Sequence, residues 1–128
     1  MALSHTILII DDDPNFLEIF SARLKSAGFK VETADGGEEG IKRAKALKPA
    51  LILMDVRMPD LNGVDAMALL KKDADTADIK VLFLTNMGDV RPEIQNINNK
   101  FAQESGASGY IRKTDDLDLL IQKIKSFL

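Results

Sequence analysis

Three runs in this chain, Ile7-Leu8-Ile9-Ile10, Leu51-Ile52-Leu53-Met54 and Val81-Leu82-Phe83-Leu84, are apolar at every position, and each stops at a polar residue: Asp11, Asp55 and Thr85. A strand without polar and apolar alternation has both faces covered, as in the centre of a parallel sheet between two helical layers. The segments between the runs carry helical periodicity. Asp13-Pro14 opens a helix with Leu17, Phe20 and Leu24 on one face and Gly28 as its stop, since aspartate caps free N–H groups and proline loses nothing at the first helical position. Ile41, Ala44 and Leu47 predict the buried stripe of a second helix, and Val64, Met67 and Leu70 that of a third.

Two shorter strands complete the pattern, at residues 29–34 with Val31 and Thr33 alternating, and at residues 109–113. A fourth helix is expected over residues 90–104, where Val90, Ile94, Ile97 and Phe101 recur at helical spacing, weakened by Asn96, Asn98 and Asn99. Leu117, Leu120, Ile121 and Ile124 mark a last one. Five successive βα units imply a five-stranded parallel sheet with helices on both faces, a (βα)5 three-layer sandwich with right-handed crossovers.

At 128 residues the expectation is one domain spanning 1–128. A net charge of −3 with mixed signs leaves no basic stripe, which argues against direct nucleic-acid binding. The chain has no cysteine, so disulfides and thiolate metal sites are excluded. No apolar run approaches membrane-spanning length and the start lacks a signal-peptide pattern, so a soluble cytoplasmic protein without membrane insertion is expected.

Ligands of open α/β sheets bind at the carboxyl ends of the strands, where Asp55, Asp11 and Asp12 stand. Capping accounts for Asp13 but leaves Asp11 and Asp12 in surplus. If the first strand lies beside the third, Asp11, Asp12 and Asp55 converge, joined by Thr85 and Lys113 from the fourth and fifth strand ends. Two carboxylates about 4 Å apart repel by roughly 4 kcal/mol at an effective dielectric near 20, so such a cluster calls for a cation or a raised pKa. Oxygen-only ligands at a hydrated site suit Mg²⁺. His5, the one histidine, reads as a surface residue.

Four motifs in order, Ile-Leu-Ile-Ile-Asp-Asp-Asp, Leu-Met-Asp-Val-Arg-Met-Pro-Asp-Leu-Asn-Gly, Val-Leu-Phe-Leu-Thr and Gly-Ala-Ser-Gly-Tyr-Ile-Arg-Lys, resemble those of the receiver domains of two-component response regulators. The resemblance covers the whole chain. It implies a flavodoxin-like, CheY-like fold with strand order 2-1-3-4-5. It also implies that Asp55 takes a phosphoryl group from a phosphohistidine, with Mg²⁺ held by Asp12, Asp55 and the backbone carbonyl of Arg57, and with Asp11 acting through water. Lys113 and the Thr85 hydroxyl would bind phosphoryl oxygens, and Thr85 and Tyr110 would form a switch pair that reshapes the face of the fourth helix, fifth strand and fifth helix. The implied partners are a sensor histidine kinase or histidine phosphotransfer protein and a downstream protein target. Such a domain catalyses only its own phosphorylation and dephosphorylation.

Two departures stand out. Lys113 is followed by Thr114, where the family usually has a cis proline, and Thr114 is expected to cap the last helix instead. The segment between Thr85 and Lys113 is longer than usual by roughly one and a half helical turns. Two rivals follow from these residues. Asp11-Asp12-Asp13 also resembles the Asp-x-Asp start of haloacid-dehalogenase-type phosphatases, although Pro14-Asn15 replaces the expected Thr or Val. The missing proline would also suit a phosphate-independent binding module. The first strand-to-helix turn lacks the glycines of a nucleotide phosphate loop.

Overall fold

The computed structural model describes residues 5–85, 109–113 and 116–128. Its elements in chain order are β1 (Thr6–Ile10), α1 (Pro14–Ser26), β2 (Lys30–Ala34), α2 (Gly37–Leu47), β3 (Leu51–Asp55), α3 (Gly63–Lys72), β4 (Lys80–Thr85), β5 (Gly109–Arg112) and α4 (Leu117–Ser126). The helix expected over residues 90–104 and the Lys113-Thr114 bond lie outside the described residues. The five strands are parallel in the order 2-1-3-4-5, as the receiver-domain resemblance implies.

Burial explains the uninterrupted apolar runs. Ile7 to Ile10 and Leu51 to Met54 are fully inaccessible, and the odd and even positions of each strand face different helical layers. Ile7, Ile9, Leu51, Leu53, Leu82, Leu84 and Ile111 pack with Phe20 and Leu24 of α1 and Leu120, Ile121 and Ile124 of α4. Leu8, Ile10, Ile52, Met54, Val81 and Phe83 pack with Ala44 of α2 and Ala66, Met67 and Leu70 of α3. Each such large side chain contributes about 1.5–3 kcal/mol of transfer free energy. On the edge strand β2 Lys30 is exposed and Glu32 is ion-paired with Arg43 of α2, and such charges on an edge discourage pairing with another sheet.

Two expectations need correction. Leu47, assigned to the buried stripe of α2, is 38 % exposed, whereas Gly37, Gly40 and Ala44 are buried. The helix seats on its small residues: a Cβ on Gly40 would lie 2.5 Å from Ile10 Cδ1, so α2 approaches β1 too closely for a larger side chain. The N-cap of α4 is Asp116, whose carboxylate accepts from Asp118 N at 2.8 Å, and not Thr114. The helix begins at Leu117, which puts Asp116 at the position where a cap can reach the second free N–H.

Candidate functional site

Strand register and side-chain parity assemble the site. Ile10 pairs with Met54, so the residue following β1 falls beside Asp55, and Asp55 pairs with Leu84 one residue before Thr85. Asp11 continues the parity of Ile9, Asp55 that of Leu53 and Lys113 that of Ile111, and those three apolar residues share the α1/α4 layer. Three charged groups therefore emerge on one face where its apolar packing stops.

Local hydrogen bonds hold each group. Asp11 N donates to Ala34 O at 3.0 Å, and Asp11 Oδ1 accepts from Asp13 N at 2.9 Å. Asp13 in turn caps α1, accepting from the N–H groups of Asn15 and Phe16. Asp55 Oδ1 accepts from Arg57 N at 3.4 Å. Lys113 N donates to Thr85 O at 2.8 Å, which brings the lysine back over the sheet edge. Its ammonium lies 2.5 Å from Asp11 Oδ2, 3.5 Å from Asp55 Oδ1 and 4.8 Å from the centre of the Phe16 ring.

Asp11 is fully buried, Asp55 is 7 % exposed and Asp12 is open to solvent. Carboxylate oxygens of the three lie within 4.8 Å of one another. Burial, and then the charge of Asp11, push the Asp55 carboxyl up to about 7, against the opposing pull of Lys113 and of the Arg57 N–H. Although Asp11 Oδ2 is ion-paired with Lys113, it has no hydrogen bond of proper geometry. Three carboxylates facing one ammonium leave an excess of negative charge and a spare buried acceptor. That donor set, all oxygen with one solvent-open member, fits a hydrated hard divalent cation.

The other candidate residues are placed differently. Thr85 continues the parity of Phe83 on the α2/α3 side, and its Oγ1 donates to Ile111 O at 3.4 Å, away from the acids. Tyr110, paired with Phe83 in register, is half-buried on that same side. Lys123 of α4 donates to the Tyr110 carbonyl at 2.7 Å and lies 5.2 Å from its ring centre. His5 is exposed, before β1 and so at the far end of the sheet from the acids. Two contributors went unread in the sequence. Phe16 lies under Lys113, and Asp60 accepts from Gly37 N and Glu38 N, both at 3.1 Å. Those two N–H groups hold the Asp60 carboxyl below its ordinary range.

The sequence model of the response regulator receiver domain matches residues 7–125. The chain belongs to that family. It is 36 % identical over 122 residues to the DNA-binding dual master transcriptional regulator RpaA of Synechocystis, covering 95 % of this chain and 48 % of RpaA. It is 34 % identical over 122 residues to Protein PilH of Pseudomonas aeruginosa, covering 95 % of this chain and 96 % of PilH. The chain thus spans about half of the first relative and nearly all of the second. The chemotaxis protein CheY4 of Vibrio cholerae superposes with a TM-score of 0.85 at 24 % identity, covering 98 % of this chain and 99 % of that one, which establishes the fold. The receiver domain of the sensor histidine kinase PA1611 of Pseudomonas aeruginosa, with a magnesium ion coordinated in its active-site cleft, shares the fold at a TM-score of 0.83 and 22 % identity, covering 97 % of each chain. This is a receiver domain of two-component signalling, and the phosphatase resemblance gives way to it. Among the described residues no helix is long and apolar enough to cross a membrane.

Proposed function

We propose that Asp55 is the phosphoacceptor of a two-component phosphorelay. The observation that carries this reading is the convergence of Asp11, Asp12 and Asp55 with Lys113 at the carboxyl edge of the sheet. An Asp55 oxygen attacks the phosphorus of a phosphohistidine, a P–O bond forms as the P–N bond breaks, and the imidazole leaves with the electron pair and takes up a proton. Positioning and charge neutralisation supply most of such catalysis. Asp12, Asp55 and the Arg57 carbonyl would hold Mg²⁺, with Asp11 acting through water, and the ion would supply charge neutralisation for the phosphoryl oxygens and for ionised Asp55. Lys113 binds one phosphoryl oxygen as a point charge and the Thr85 hydroxyl, released from Ile111 O, binds another.

Movement of Thr85 toward the phosphoryl group draws Tyr110 with it and changes the outer face of β5 and its flanking helices. The partners are a sensor histidine kinase or histidine phosphotransfer protein and a downstream protein. Residues 1–128 act as one receiver domain in the cytoplasm, catalysing only its own phosphorylation and dephosphorylation. Incubation with Mg²⁺ and acetyl phosphate tests this: one stoichiometric phosphate supports it, whereas steady turnover of a chromogenic phosphate ester or no incorporation contradicts it.

A further inference from the structure

The loop of residues 56–62 between β3 and α3 is closed at its base and tied at its tip. At the base Gly63 N donates to Val56 O at 2.8 Å, and a Cβ on Gly63 would lie 2.4 Å from Asp55 O. At the tip Asp60 reaches across 23 residues of sequence: Oδ1 accepts from Gly37 N and Oδ2 from Glu38 N. Those two N–H groups belong to the first turn of α2, whose N-cap is Gly36 and which has no side-chain cap of its own. The seat is shaped for the loop. A Cβ on Gly36 would approach the Asp60 carboxylate oxygens to 3.0 Å, and one on Gly37 would meet Leu61 Cβ and O at 2.9 Å.

We propose that Asp60 is a positioning residue for the site: by capping α2 from the tip of this loop it fixes the backbone at Arg57, and with it the carbonyl offered to the metal. The inference rests on the proposed metal role of Arg57. Arg57 lies between the two anchors, one residue after Val56 and three before Asp60, and its N–H also bonds Asp55 Oδ1. With the tip free, the loop that carries the Arg57 carbonyl loses one of its two anchors, and a ligand that is less well ordered before binding weakens the site. The α2 helix and the phosphoacceptor loop then form one rigid unit, so a partner that displaces α2 would act on metal affinity without touching an acid.

Two substitutions separate this role from simple helix capping. Asp60→Ala removes both bonds, lowering the melting temperature by about 3–6 °C and weakening Mg²⁺ binding about tenfold, as loss of an outer support typically does. Adding Gly36→Ser gives α2 a local cap, in space that the alanine has vacated, without restoring the tether. Melting temperature, amide NMR of Arg57 and Met58 in metal-free protein, and Mg²⁺ titration are measured on wild type and both variants. The expected result is recovered melting temperature in the double variant, with mobile Arg57 and Met58 amides and weak Mg²⁺ binding retained. Recovery of Mg²⁺ affinity together with stability, or unchanged loop amides in Asp60→Ala, overturns the proposal. If wild type neither binds Mg²⁺ nor takes phosphate from acetyl phosphate, the proposed function fails, while the metal-free amides still judge the tether.

Discussion

Asp55→Asn replaces a buried carboxylate with a neutral group of almost the same shape, so its effect on stability isolates the charge. In the metal-free protein Asp55 titrates at about 7, against 3.8 for an unperturbed carboxyl, because burial and Asp11 outweigh Lys113 and the Arg57 N–H. A folded-state pKa raised above the unfolded value means that the folded state holds the proton more tightly. That contribution to stability is complete below about pH 4 and is lost as pH rises through about 7. The full linkage amounts to roughly 4 kcal/mol, which solvent reaching the open side of the site reduces to about 2 kcal/mol. Asparagine does not titrate, so Asp55→Asn should exceed wild type by about 2 kcal/mol at pH 8, and the gap should close as pH falls toward 4. Urea unfolding in the presence of a chelator, followed by far-ultraviolet circular dichroism, reads both differences. A variant less stable than wild type at pH 8, or a gap that does not change with pH, would refute the electrostatic account of the site.

Saturating Mg²⁺ should stabilise wild type by mass action, by about 2.7 kcal/mol at a hundred times its Kd. Asp12→Ala should lose more than half of that gain, and an identical Mg²⁺ titration of its melting curve would reject Asp12 as a ligand. Gly63→Ala should destabilise the domain by about 1–3 kcal/mol, because the added Cβ runs into Asp55 O; a change in urea midpoint too small to resolve would mean that the loop relaxes freely. Phe16→Leu removes the ring beneath the Lys113 ammonium and should slow phosphate uptake about two- to fivefold, while Phe16→Tyr keeps the wild-type rate. Equal rates for the leucine and tyrosine variants would leave the ring without a role.

The parts legible from sequence are those whose cause is local. Ile7 to Ile10 and Leu51 to Met54 read as central strands because burial on both faces erases alternation, and the acids at their ends mark the sheet edge where ligands bind. The seat of α2 is not legible in the sequence because Gly37 and Gly40 carry no hydropathy signal, although neither leaves room for a Cβ, whereas Leu47 at its last position carries a strong one and is 38 % exposed. Asp60 is illegible for a different reason: its partners lie 23 and 22 residues away, and a lone acid after Pro59 looks like any turn residue. Phe16 fits the α1 stripe, and only the fold places Lys113 above it. Thr114 and Asp116 are both competent caps by residue type, so the choice between them depends on where the helical backbone begins.

Mapping the phosphate decides whether Asp55 is the acceptor. Wild type and Asp55→Asn are each treated with Mg²⁺ and acetyl phosphate, the acyl phosphate is trapped by reduction, and the labelled residue is located by mass spectrometry. A single stoichiometric label is expected on Asp55 in wild type and none in the variant. Equal incorporation in Asp55→Asn, or a label on Asp11 or Asp12 in wild type, would contradict it.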